Sequence, residues 1–171
     1  MVRVHTSKGY TLIELLLYVG ISAGVLLVST FFLQALFESR IKNQTVDEVE
    51  QQGLQVIHLI TQTIRNAENI TSPIIGSSSS SLTLDVSDIV DDPTIFDMSS
   101  GTIRIIEGTG SAISLTNSRV AASSLLFQNL SRLDTPGSIR VSFTLTHVNV
   151  SGRQEYEFSK TFYASASVRQ P

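Results

Sequence analysis

The sequence has no cysteine, only four prolines and three histidines, and no stretch rich in lysine or arginine. Without cysteine, disulfides, thiolate metal sites and cysteine nucleophiles are excluded. His5, His58 and His147 are too few and too far apart in the chain to suggest a catalytic or metal cluster. The formal net charge of −3 argues against a nucleic-acid binder. We therefore expect no enzyme activity, no cofactor, no metal and no direct nucleic-acid partner.

Apolar residues, in contrast, are plentiful and unevenly placed in this chain of 171 residues, of which 42% are hydrophobic. The stretch Leu15–Phe37 contains 23 residues without one charge. As a helix it would be about 34 Å long, which is enough to cross the hydrocarbon core of a bilayer. We predict a transmembrane helix over residues 10–37, in contact with membrane lipid.

The residues before the apolar stretch indicate its orientation. Arg3 and Lys8 are basic, which predicts a cytoplasmic N-terminus, a single pass through the inner (cytoplasmic) membrane and a C-terminal domain outside the cytoplasm. A cleaved secretory signal peptide is the competing interpretation. It needs a shorter apolar region and a small-x-small site just after it, and residues 37–44 (FESRIKNQ) offer none. The segment therefore looks retained.

Glu14 is a charged residue at the start of this apolar run. A carboxylate in a membrane helix costs about 2.5–3.5 kcal/mol at the centre and less near an end, so it indicates either a functional partner or an interfacial position. Its context is Lys8-Gly9-Tyr10-Thr11-Leu12-Ile13-Glu14. Over residues 8–30 the chain resembles the type IV pilin and type II secretion pseudopilin family, in which a basic leader ends in Gly and an acidic residue stands fifth in the mature chain.

The resemblance implies that residues 1–9 are a leader, which a prepilin peptidase removes by cleavage between Gly9 and Tyr10. It also implies that the new amino terminus of Tyr10 is N-methylated and that Glu14 pairs with this terminus on an adjacent subunit. The physical chemistry is consistent, because an α-amino group has a reference pKa of about 8 and is largely protonated at neutral pH. Glu14 lies four residues on, about one helical turn, and faces the same side.

The apolar segment also departs from the family pattern. Many major pilins have a proline in the middle of this helix, whereas the corresponding region here reads Ser29-Thr30-Phe31-Phe32. Gly20 and Gly24 have a GxxxG spacing that can permit close helix packing but is also common by chance. The missing proline favours a minor subunit over a major one.

Residues 38–72 are predicted as an amphipathic continuation of the same helix. Apolar residues recur at steps of three and four, at Ile41, Val49, Gly53, Val56, Ile57, Ile60, Ile64 and Ala67. Pro73 and the run GSSSSS then predict a flexible Ser-rich linker over residues 73–81. The outer half of the helix therefore needs a partner that covers its apolar stripe.

Residues 82–171 are predicted to form a β-sheet domain, because the hydrophobic period changes from helical to alternating. The clearest strand starts at Ile139, and the turn Ser151-Gly152 leads to its partner. Residues 118–133 are ambiguous, with a preference for strand. We expect a pilin-like α+β fold, in which one long N-terminal helix packs on a C-terminal antiparallel sheet with one apolar face.

Five acidic residues cluster after the linker, and some pseudopilins bind calcium in a loop. Their carboxylate oxygens would suit Ca²⁺, but the spacing is not that of an EF-hand. We therefore favour a solvated acidic loop around Pro93 and leave calcium binding open. The residues are Asp85, Asp88, Asp91, Asp92 and Asp97.

These observations predict a structural subunit, a minor pilin or minor pseudopilin, of a type IV pilus-like filament. The implied partners are other pilin or pseudopilin subunits, the prepilin peptidase and methylase, a membrane platform protein and, through it, an assembly ATPase. The alternative is a single-pass membrane-anchored extracytoplasmic binding domain that does not polymerise. The residues do not distinguish surface pili from type II secretion or DNA uptake.

Overall fold

The computed structural model describes Gly9, residues 11–133 and residues 135–169. Residues up to Arg40 and residues from Ile41 onward form two compact units. The helix α1 (Leu12–Asn66) begins in the first unit and ends in the second. The expected leader residues 1–8 and Tyr10 lie outside the described residues.

Among the described residues, nine strands follow the helix, all paired antiparallel. They are β1 (Ala67–Ser72), β2 (Ser78–Ser79), β3 (Leu82–Val86), β4 (Thr94–Ser99), β5 (Thr102–Glu107), β6 (Ile113–Ser114), β7 (Val120–Asn129), β8 (Ser138–His147) and β9 (Ser159–Ser167). One sheet has the order β1-β3-β4-β5-β6 and the other the order β2-β7-β8-β9. The α+β class with a long N-terminal helix is confirmed, and the single expected sheet is two sheets.

The second half of α1 buries one stripe of residues against these sheets. Thr45, Val49, Gly53, Val56, Ile60 and Ile64 are buried at steps of three or four. Val49, Val56, Ile60 and Ile64 belong to one core cluster with inward residues of both sheets, among them Phe96, Phe127 and Phe143. The amphipathic pattern therefore identifies the docking face correctly, because a one-sided apolar stripe is stable only where another element covers it.

The helix ends at Asn66, although the sequence pattern predicts helix to residue 72. Residues 67–72 form β1, which pairs with β3 through two register shifts. Ala67 is buried and Ile70 half-buried, and this spacing of three fits a helix as well as an irregular strand. Pairing with β3 makes residues 67–72 a strand rather than a helix. The local hydrophobic period carries no information about this pairing.

The Ser-rich segment 73–81 is hydrogen-bonded to β7, although a flexible linker is expected there. Ser78 and Ser79 form β2, in register with Gln128 and Phe127. The buried Asn129 side chain donates to the Pro73 carbonyl at 2.7 Å. Small polar residues have no hydrophobic period, so this pairing leaves no pattern in the sequence.

Strand β4 lies within the segment expected as an acidic loop. Thr94 and Phe96 point inward and are buried, while Asp97 points outward. The turn to β5 consists of Ser100 and Gly101, which both have positive φ angles, as in a type I′ hairpin. Ser-Gly between two alternating runs is the local signal that predicts this hairpin.

Candidate functional site

The candidate processing site precedes the first turn of α1. Gly9 is exposed, and no atom lies within 4 Å of where a Cβ would stand. Thr11 caps the helix, since its Oγ1 accepts a hydrogen bond from the Glu14 N–H at 3.3 Å and its carbonyl accepts one from Leu15 N–H at 3.1 Å. The glycine is therefore exposed and lies shortly before a defined helix start. Tyr10, on the other side of the expected cleavage site, is outside the described residues.

Glu14 is half-buried, whereas every other residue from Thr11 to Arg40 is exposed. Thr11 and Glu14 have the spacing of a capping box, and a carboxylate in the first turn interacts favourably with the helix dipole. This local role does not neutralise the charge. Among the residues that the structure describes, none forms an ion pair with Glu14.

Between Leu12 and Phe37 the helix exposes apolar side chains on every side. Side chains on every side of the helix are exposed, for example Leu16 at 60%, Leu26 at 68% and Phe32 at 63%. The helix is the one in the described part of the chain that is long and apolar enough to span a membrane. A helix without a polar face is stable in lipid or in the core of an assembly. The coarse prediction of a single membrane-spanning segment is thus supported.

Two hydroxyl groups inside the apolar segment bond to the backbone of the same helix. Ser29 Oγ donates to the Val25 carbonyl and Thr30 Oγ1 to the Leu26 carbonyl, both at 2.8 Å. Such bonds remove the free energy cost of an unpaired hydroxyl in hydrocarbon. The segment around Ser29 and Thr30 is continuous helix, as the absence of proline predicts.

Gly20 and Gly24 leave open space on the helix. No atom lies within 4 Å of a Cβ built at either residue. The two residues stand one turn apart on the same side, which is the arrangement that lets a second helix approach closely. The spacing therefore fits close helix packing, but the described residues include no second helix against which Gly20 and Gly24 pack.

A cleft of about 360 Å³ near the start of the second unit contains the half-buried His147 and Glu48. His147 Nε2 lies 3.9 Å from Glu48 Oε2, and the imidazole stacks on Tyr156 with ring centroids 5.8 Å apart. His147 Nδ1 is buried and has no hydrogen-bond partner among the described residues. The separation of 3.9 Å is too long for a hydrogen bond, so these groups do not form an acid–base pair.

Four of the five acidic residues considered for calcium serve separate local contacts. Asp97 forms two hydrogen bonds with Arg104, at 2.9 and 2.6 Å, and this contact raises the pKa of the Arg104 guanidinium. Asp85 accepts from Thr71 Oγ1 at 2.8 Å, and the remaining carboxylates Asp88 and Asp92 accept backbone N–H groups. In the part of the chain that is described, no three His, Asp or Glu side chains are placed to hold a metal ion together.

Comparison with protein-family models, with curated proteins and with solved structures finds no match to this chain. The case for a family therefore depends on the residues around Gly9 and Glu14 and on the architecture that follows them. The architecture, one apolar N-terminal helix packed in its second half on antiparallel sheet, is compatible with a pilin-like protein.

Proposed function

We propose that this chain is a structural subunit, a minor pilin or minor pseudopilin, of a type IV pilus-like filament. A prepilin peptidase removes residues 1–9, and the new terminus at Tyr10 is N-methylated before assembly. The observation that carries the proposal is Glu14, a half-buried carboxylate at the start of an apolar helix, without a cation among the described residues and five residues after an exposed glycine.

The mechanism follows from charge neutralisation in a medium of low dielectric constant. Before cleavage, the carboxylate of Glu14 stands near the cytoplasmic end of the membrane helix without an opposite charge among the described residues. Cleavage after Gly9 creates a protonated amine on Tyr10, and methylation of that amine preserves its charge. Pairing between this amine on one copy and Glu14 on a neighbour neutralises both charges, and it gives each incoming subunit a defined place.

The two halves of the helix then have different partners. In the membrane, lipid covers the apolar residues 12–37. In the filament, the same residues pack against other copies, and the sheets face outward. A platform protein in the inner membrane and an assembly ATPase acting through it supply the work of extraction. The C-terminal domain lies outside the cytoplasm.

Mass spectrometry of the N-terminus tests the proposal in cells that contain a prepilin peptidase. We expect a mature chain that begins at Tyr10 and carries one added methyl group. A chain that keeps Met1 or Val2 in such cells contradicts the proposal. It would instead support a single-pass membrane-anchored binding domain that does not polymerise.

A matched control uses the cleavage glycine itself. Gly9→Ala adds one methyl group at a position where no described atom other than those of its chain neighbours lies within 4 Å, so we expect the helix and the sheets to be undisturbed. If a peptidase recognises Gly9, the variant keeps its leader and stays in the membrane. Equal processing of Gly9→Ala and the parent chain would contradict an assignment of Gly9 as the cleavage residue.

A further inference from the structure

The last two turns of α1 lie between two clefts of opposite charge. On one side, a cleft of about 600 Å³ is lined by His58, Arg65 and Arg169, which we call the basic flank. On the other side, a groove of about 280 Å³ is lined by Asp88, Asp91 and Glu107, which we call the acidic flank. Gln62 and Asn66 line both clefts and so form the ridge between them.

Helical geometry places the two flanks on opposite sides of the buried stripe. Successive residues turn by about 100°, so Thr61 and Arg65 project to one side of Ile60 and Ile64. Leu59 and Thr63 each precede a buried residue by one position, so the same rotation of about 100° places them on the other side. Thr61 lines the cleft of the basic flank, and Leu59 and Thr63 line the groove of the acidic flank.

Each flank is held together by the fold. On the basic side, Arg169 N–H donates to the Arg65 carbonyl at 3.2 Å, which keeps two like-charged residues adjacent. On the acidic side, Gly108 N–H donates to the Pro93 carbonyl at 3.1 Å, and Thr94 Oγ1 donates to the Asp91 carbonyl at 2.9 Å. These bonds keep the loop that carries Asp91 beside the strand end that carries Glu107.

The charges on both flanks have no ion-pair partner within residues 11–133 and 135–169. Elsewhere in the second unit, four cations are paired with carboxylates, as in Lys160 with Glu50 at 2.6 Å and Arg104 with Asp97 at 2.6 Å. The unpaired flank residues are Arg65, Arg169, Asp88, Asp91 and Glu107. The flanks therefore keep opposite charges available for another molecule.

We propose that the basic flank of one copy of this chain docks on the acidic flank of the next copy. Every copy carries both flanks, so other copies of the same chain can supply the opposite charge for each of them. Because the flanks lie on opposite sides of the same helix turns, the contact is heterologous and continues from copy to copy, while all copies keep the same orientation. A two-fold contact at either flank would bring like charges together. This side-by-side contact rests on the proposed filament function and specifies its outer layer.

Cysteine cross-linking tests the contact, because the chain has no cysteine of its own. Ser167 lines the cleft of the basic flank and Ser87 the groove of the acidic flank, and both are exposed. In membranes from cells that express the double variant Ser87→Cys/Ser167→Cys, a short thiol-reactive cross-linker is expected to give a ladder of dimers, trimers and higher multimers. Each single variant should stay monomeric. Dimers without higher multimers would overturn the proposal, because they indicate a closed pair.

Ser142 provides a matched control for the cross-link. It is a serine on β8, where it faces the outer side of its sheet opposite Tyr163, and it lines neither flank. We expect the variant Ser87→Cys/Ser142→Cys to give at most traces of multimers. A ladder of equal strength from this variant would show random collision in the membrane and would overturn the docking proposal.

Charge reversal identifies electrostatic attraction as the cause of the ladder. In the double-cysteine chain, Arg65→Glu/Arg169→Glu or Asp91→Lys/Glu107→Lys should each reduce the multimers about tenfold, and combining all four should restore them. A control with the same net charge change as the first reversal, Lys42→Glu/Arg140→Glu, should leave the ladder intact. Insensitivity to either reversal, or no recovery in the combined variant, overturns the proposal.

The N-terminal mass, measured on the same membranes, separates this inference from the proposed function. If the chain begins at Tyr10 and no ladder forms, the docking contact is wrong and the filament proposal stands. If the leader is retained and no ladder forms, both are wrong. A charge-dependent ladder from a chain with its leader supports the contact between copies and contradicts the filament function.

Discussion

Residues 12–40 and residues 41–66 belong to one helix, yet their surroundings differ in kind. In the first stretch all side chains except Glu14 are exposed, and most of them are apolar. In the second stretch one stripe is buried against two sheets. The comparison teaches that the second stretch is stabilised by its own chain, whereas the first depends on lipid or on other molecules.

Glu14 also differs from two carboxylates of the second stretch in its ion pairing. Glu14, in the first stretch, has no ion-pair partner among the described residues. In the second stretch, Glu50 pairs with Lys160 at 2.6 Å and Glu48 pairs with Arg119 at 3.5 Å. A substitution at Glu14 should therefore affect assembly, and one in the buried stripe of the second stretch should affect folding.

The largest effect is expected for Glu14→Ala. The variant should insert into the membrane as before, because it removes a charge from the apolar segment. Its incorporation into filaments should fall about a hundredfold, since the amine on the neighbouring copy loses its partner in an apolar setting. Quantitative immunoblotting of sheared filaments and of membranes measures both quantities. Glu38→Ala, the matched change near the other end of the apolar segment, should leave incorporation intact, and normal incorporation of Glu14→Ala would refute the prediction.

Ile60→Ala should give the largest loss of stability in the globular unit. Ile60 is fully buried in the core, so we expect the free energy of unfolding to fall by about 2–5 kcal/mol. Leu26→Ala is the matched change in the first stretch, where Leu26 is 68% exposed, and it should leave sheet stability unchanged. Urea unfolding of the detergent-solubilised chain, followed by circular dichroism, compares them. Equal losses would show that the two stretches are not independent.

Gly53→Ala tests the close approach of the helix to β9. A Cβ at Gly53 would collide with the Phe162 ring. Overpacking costs about 1–3 kcal/mol and the better helix propensity of Ala returns about 1 kcal/mol, so we expect a net fall in the free energy of unfolding of up to about 2 kcal/mol. Gly20→Ala, with no atom within 4 Å of its Cβ, should not destabilise the sheets.

A double-mutant cycle identifies the cause in the same unfolding assay. When Phe162→Ala is already present, the added Gly53→Ala should lose its cost, because the colliding ring is absent. If Gly53→Ala is equally destabilising with and without Phe162, the helix backbone and not the ring is responsible.

The smallest effect concerns Glu155, an ion-paired residue of the globular unit. The N–H of Glu155 itself and then Arg153 Nη2 at 2.6 Å hydrogen-bond its carboxylate and lower its pKa in the folded protein. The stabilisation is therefore present above the unfolded pKa of about 4.3 and is lost as the pH falls through the lower folded value. An NMR titration of the carboxyl carbon measures this. Arg153→Ala should raise the pKa only part of the way, and a complete return to the unfolded value would contradict the leading role of the backbone bond.

Local patterns were sufficient for several elements. The apolar run, the steps of three and four from Val49 to Ile64, and the alternation at Leu82 and Ile139 each predict an element that the structure contains. Such patterns predict an element because each reflects an apolar surface that must be buried. The element that buries this surface need not be known. The candidate site is likewise contained in six adjacent residues, Gly9 to Glu14.

The sequence by itself determined the apolar segment, the motif around Gly9 and Glu14, and the α+β class, since all three depend on neighbours in the chain. Only the tertiary structure decided where α1 gives way to β1, that Ser78 and Ser79 pair with β7, and that nine strands divide into two sheets. The physical reason is that strand pairing joins residues far apart in sequence, so the energy that selects a partner or a register is not encoded in either segment alone. The opposite charges beside Arg65 and Glu107 arise in the same way, because residues 42 apart in the chain acquire a spatial relation only through the fold.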